Sequence, residues 1–314
     1  MTGSRSPKIS TFRGILLGTL DQYVADQPEK RWQLCDGLSR IDCLIPSTDL
    51  LHELLSGPIT TCRLQVANWS QDGVVAGDQV PVLTSAWPDD AQEDDSLYQL
   101  PMDICPAEGV FMGVLELIET LNVPPLYRMM VRIFREREVV ARYWTTPASA
   151  RHHHAFPGGL AAHSLEVARD LASQSSLDRH ERELCVAAGL LHDIGKLWSY
   201  TPDMFLNTAA RAMGHELIGL SRLERELKVL EGEWPDGAYA LRVVLAIASS
   251  FADAFLYERV AQYVHVRIAR YMLVFLVVCA GMHSASVALL PSSMVMYTTS
   301  VGMAYAMQPA SMAA

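Results

Sequence analysis

Two hydrophobic periods divide the chain. From residue 12 to 87 apolar and polar residues alternate in short runs separated by turn residues, the period of half-buried strands. "GILLGTLDQYVA" is followed by "RWQLCDGLSRIDCLIP", whose two alternating runs flank Asp36 and Gly37 as a tight hairpin. "STDLLHELLSG" has helical spacing, an N-cap candidate in Ser47 and a terminating Gly57, and the strand-like runs "ITTCRLQVANWS" and "VPVLTSAWP" come after it. The predicted order is strand, strand, strand, helix, strand, strand. Beyond about residue 104 the period becomes helical over 107–121, 124–143, 160–176 and 179–198, and no strand pattern interrupts it. Residues 88–103 lie between the two blocks as a linker with five acids in seven positions, a solvated stretch that repels phosphate backbones. The fold class is therefore α+β multidomain: a small β-barrel over 1–87, then an all-α domain over 104–258.

Residues 259–314 differ in kind. No acid occurs after Glu258, the remaining charges are Arg259, Arg267 and Arg270, and seven of the fourteen methionines lie here. The run 271–290 approaches the length of a membrane span, although His283, Ser284 and Ser286 weaken its second half. Three readings stay open: a buried or interfacial helix, a membrane anchor, or sequence that has lost its coding register. A net charge of −10 excludes a broad basic surface, so any nucleic-acid contact has to be local. Six scattered cysteines without a CxxC motif suggest reduced thiols, and the first ten residues lack an apolar signal core. Both features predict a cytoplasmic protein.

The chemistry concentrates in "LLHDIGK", residues 190–196. Burying a histidine, an aspartate and a lysine in an apolar segment is costly unless each has a partner. His163, 29 residues before His192 and just after "PGG", supplies a third metal-type donor. On a continuous helix His192 and Asp193 point about 100° apart, so they share an ion only where their helix edge faces it. Lys196, four residues after His192, lies on its side of such a helix and would meet a phosphate held by the ion. No GxGxxG or Walker A pattern occurs.

The strand order resembles the OB-fold, a barrel often used for single-stranded nucleic acid, though a generic small barrel or sandwich fits nearly as well. In an OB-like barrel Trp32, Trp69 or Trp87 would stack on bases if exposed, whereas aromatics in strands are otherwise core. "HDIGK", with His163 upstream and an aspartate downstream, resembles the HD superfamily of metal-dependent phosphohydrolases. "HHHAFPGGLAAHSLEVA", residues 152–168, is similar to TraI-type relaxase domains of conjugative elements, and also to OB-plus-HD 3′-5′ exoribonucleases of the YhaM type.

The resemblance implies His163, His192 and Asp193 as metal ligands, with His215 and Asp253 as further candidates; a surface role is the other reading of each of these two. It implies Lys196, His153 and His154 as catalytic or substrate-contacting groups, with Arg151 offsetting phosphate charge and Glu166 as a partner fixing the His163 tautomer. The cofactor would be one or two divalent transition metals, Mn, Fe, Zn or Ni, with Mg also suitable; no histidine lies between His215 and His265 to complete a second site. The expected function is a phosphodiesterase on single-stranded DNA or RNA, relaxase-like or nucleolytic, working with conjugation proteins. Alternatives are hydrolysis of small nucleotides and a catalytically impaired nucleic-acid-binding remnant. A membrane is a partner only if 271–290 is an anchor.

Overall fold

The computed structural model describes residues 9–19, 22, 30–69, 80–89, 96–149, 154–175, 177–201 and 205–246. Five strands, β1 (Ile9–Leu17), β2 (Arg31–Cys35), β3 (Arg40–Leu44), β4 (Cys62–Ala67) and β5 (Val82–Pro88), close into a barrel in the order β1-β2-β3-β5-β4. All pairs are antiparallel except β3 with β5. The alternation read from the sequence puts Leu34, Ile41, Leu64, Val66 and Leu83 inside. Helix α1 (Thr48–Leu55) joins β3 to β4, and its Ser47 side chain accepts the Leu50 amide.

Two differences from the sequence reading concern this half. Trp32 and Trp69 are both buried, Trp69 edge-on to Phe12 at 5.6 Å, so neither presents a ring on which a base could stack. The acidic stretch is not solvated throughout: Leu97 and Leu100 sit in the core, and Asp89 pairs with Arg13 and Arg63.

The second half is helical: α2 (Val110–Glu119), α3 (Pro124–Phe134), α4 (Arg137–Arg142), α5 (Gly159–Ala172), α6 (Arg179–Leu191), α7 (Thr208–Glu233) and a further helix over 235–246. The pattern over 124–143 predicts one helix, but the chain breaks at Arg135 and Glu136. The reason is tertiary. Arg135 Nε donates to the Ile59 carbonyl at 2.8 Å, the Ile59 amide donates to the Arg135 carbonyl at 2.8 Å, and Arg137 donates to the Leu16 carbonyl at 2.9 Å. These bonds, from two buried arginines, stitch the barrel to the helices, and Ile15, Cys35 and Ile59 of the barrel half join the helical core. Phe111, Phe134, Tyr143 and Trp144 stack edge to face and tilted at 5.0–5.7 Å in its centre.

Local rules set the helix ends that carry the site. Asp178 and Glu181 form a reciprocal capping box at the start of α6, and Asn207 caps α7 through the Ala210 amide. Buried Glu183 accepts the Asn122 and Val123 amides, each at 2.8 Å, so α6 anchors the start of α3. No helix among the described residues is long and apolar enough to cross a membrane; 271–290 lies outside them.

Candidate metal centre

Four side chains converge between α5, the end of α6 and α7. His163 Nε2 stands 3.3 Å from His192 Nε2 and 3.6 Å from Asp193 Oδ2. His192 Nε2 is 3.3 Å from Asp193 Oδ2, and His215 Nε2 is 2.9 Å from Asp193 Oδ1. The donor atoms of His163, His192 and Asp193 all lie within 4.8 Å of one another.

Helix geometry delivers these groups differently from the sequence reading. α6 ends at Leu191, His192 is its C-cap, and Asp193 leaves the helix at φ −102°, ψ 5° before a short 3-10 turn, Ile194–Trp198. The break lets adjacent residues point at one centre, which a continuous helix would separate by about 100°. Gly195 makes the turn possible: a Cβ there would lie 1.8 Å from the His215 carbonyl oxygen, so only glycine lets α7 approach this closely. Within α7 the backbone kinks at Gly214, φ 78°, immediately before His215. Gly159 plays the matching part under α5, where a Cβ would meet the His154 carbonyl at 1.9 Å.

Burial and mutual hydrogen bonds set the charge states of the cluster. Burial pushes the His163 imidazole down to about 4, against the pull of Asp193, so it is neutral at pH 7. Burial also opposes ionisation of Asp193, but hydrogen bonds from His192 and His215 and the Lys196 charge hold its carboxyl well below the usual range. Burial opposes protonation of His192, but its hydrogen bond to Asp193 and the Gly189 carbonyl, 2.8 Å from Nδ1, outweigh it and raise the pKa. The donor atoms of two imidazoles and a carboxylate thus face one another, an arrangement that a proton held between His192 and Asp193 or a bound cation satisfies. Neutral imidazole and carboxylate are the forms that bind metal.

Lys196 differs from expectation: its Nζ donates to Asp193 Oδ2 at 2.7 Å, so it braces the carboxylate instead of reaching outward. Glu166 pairs with His154, at 3.1 Å, and not with His163. His154 adopts φ 57° and its ring lies 5.4 Å from that of His163. His154, His163 and Glu166 form a second group able to hold an ion, but it shares His163 with the first. Sequence reasoning missed Glu216, 3.3 Å from His215 Nε2, and Arg142, whose Nη1 holds the Leu197 carbonyl and so the turn. An acid adjacent to a ligand histidine was the available signal for the first; the second had none. His153, Arg151 and Asp253 lie outside the described residues.

The fold and site thus define a barrel-plus-helix protein with a buried histidine–aspartate cluster. The Alg9-like mannosyltransferase family matches residues 197–312. The alpha-1,2-mannosyltransferase ALG9 of Homo sapiens is 32% identical over 108 residues, 34% of this chain and 17% of that protein, and its Mus musculus counterpart matches equally. The chain therefore spans about a sixth of the length of these curated relatives. No solved structure matches it.

These similarities are to mannosyltransferases. They overturn the expected membership of the HD phosphohydrolases and the relaxase, exoribonuclease and small-nucleotide activities drawn from it. DNA, RNA and conjugation proteins fall as partners with them, and the buried Trp32 and Trp69 agree. The motif misled because a His–Asp cluster reports metal-ligand chemistry, not the bond that is broken. The family match includes His215 but begins after His163, His192 and Asp193.

Proposed function

We propose that the chain is a mannosyl-transferring enzyme whose helical domain holds a divalent cation. The observation that carries the transferase reading is the family similarity over 197–312; the convergence of His163, His192, Asp193 and His215 supports the cation. On this reading the barrel is OB-like, as its 1-2-3-5-4 closure and the helix between β3 and β4 suggest.

Bound at this centre, a divalent ion supplies positive charge that favours a phosphate leaving group on an activated mannose. The chain's own residues do the rest. The Gly189 carbonyl orients His192, Lys196 fixes Asp193, and Gly195 keeps α7 close enough for His215 to reach the same carboxylate. At the edge of the centre the Glu166 carboxylate is 64% exposed and faces His154 Nε2. That pair is placed to take the proton of an acceptor hydroxyl.

The test is transfer of radiolabelled mannose from two phosphate-linked donors, one nucleotide-linked and one polyprenyl-phosphate-linked, to a mannoside acceptor. Wild-type protein should form an α-1,2 linkage and Asp193→Ala should not. Absence of product from metal-loaded wild-type protein with both donors would overturn the reading.

A further inference from the structure

A second cavity, of about 310 Å³, lies away from the metal centre, where the barrel meets the helices. Its lining includes Gly18, Lys30, Arg31, Trp32 and Arg137. Arg137, the first residue of α4, is only 7% exposed. Its Nη1 donates to the Leu16 and Gly18 carbonyls at 2.9 and 3.2 Å and its Nη2 to the Leu54 carbonyl, while its buried Nε has no hydrogen-bond partner. Carbonyls orient a guanidinium without neutralising it. Among the described residues no carboxylate pairs with Arg137, and its neighbour Glu136 is engaged by Arg225. Burial lowers the Arg137 pKa to about 10, which leaves it charged at neutral pH.

Two more cations share the cavity. Lys30 Nζ sits 4.9 Å above the Trp32 ring, and Arg31 is exposed on β2; neither makes an ion pair with a described residue. Three positive side chains around one cavity, the deepest without a carboxylate partner among the described residues, suit an anion, because a buried charge is tolerated best when paired. Guanidinium and ammonium groups together suit phosphate oxygens.

We propose that this junction cavity binds a small phosphate-bearing anion, with Arg137 as its buried cation and Lys30 and Arg31 at its mouth. The ligand would bridge β1 and β2 to α4 and so tie the barrel to the helical domain. The inference is independent of the mannosyl-transfer reading and of the metal centre.

Isothermal titration of the full chain with inorganic phosphate and with pyrophosphate tests it. Saturable binding should occur in wild-type protein and persist in Asp193→Asn. Lys30→Gln/Arg31→Gln, which breaks no side-chain hydrogen bond among the described residues, should weaken it about tenfold, in line with loss of charge-assisted contacts. Arg137→Met should abolish it; if that variant does not fold, the double variant decides. No saturable binding, binding unchanged in the double variant, or binding lost in Asp193→Asn would each overturn the proposal.

Discussion

Gly195→Ala isolates the contact on which the metal centre depends. A Cβ at this position would sit 1.8 Å from the His215 carbonyl oxygen and 2.7 Å from the Gly219 amide nitrogen. Both neighbours are backbone, so no side chain can swing aside. Restoring an ordinary 3.4 Å contact requires α7 and the 3-10 turn to separate by about 1.6 Å. Overpacking of this kind costs about 3 kcal/mol, at the upper end of its usual range. For a domain of this size that lowers Tm by about 6–12 °C. The same displacement breaks the 2.9 Å contact between His215 Nε2 and Asp193 Oδ1, so metal content should fall with stability. Gly232→Ala is the control: it lies in the same helix with nothing within 4 Å of the new Cβ, and alanine there should stabilise by roughly 0.5–1 kcal/mol. Thermal melts and metal analysis of the three proteins give the answer. Wild-type Tm and metal content in Gly195→Ala would refute the close-approach argument.

Three further outcomes are expected. Asp193→Ala should remove bound metal while Glu166→Ala retains it, measured by elemental analysis after gel filtration; metal retained without Asp193 would contradict the ligand set. Burial opposes ionisation of Glu183, but the Val123 and Asn122 amides and Arg179 outweigh it and leave its pKa lowered. Its stabilisation is therefore full above the unfolded value, about 4.3, and lost as pH falls through the folded one. Urea titration of Glu183→Gln should accordingly show a deficit of about 1–3 kcal/mol at pH 7 that shrinks in acid, and a pH-independent deficit would count against this. Burial pushes the Cys43 thiol up to about 12, so mass-mapped alkylation at pH 8 should modify it only after denaturation; labelling of the native protein would refute its burial.

How far the sequence reaches depends on the range of the interaction. Ser47, the β2–β3 hairpin and the change of period near residue 104 are local signals, and each appears in the structure near its predicted place. The hairpin loop is longer than an Asp-Gly pair, because Asp36 Oδ1 accepts the Leu38 and Ser39 amides and extends the turn. The convergence of His163, His192 and Asp193 was legible because their residue types are costly to bury unpaired, whereas His215 entered only through the HD resemblance. The break at His192 was not, since the apolar pattern runs through it; the Lys196 ion pair exists only because of that break. The interruption at Arg135–Glu136 was equally hidden, its cause being carbonyls more than 70 residues away in the barrel. The similarity over 197–312 was hidden for another reason: a His–Asp donor set carries no information on the reaction, since similar sets serve different ones.

We propose mannosyl transfer that depends on a divalent ion held by the His–Asp cluster. Its most direct test is mannose transfer by the purified full chain before chelation, after chelation, and after a divalent ion is restored. Transfer should stop on chelation and return with the ion. Transfer indifferent to chelation, or no transfer by metal-replete protein, would contradict it.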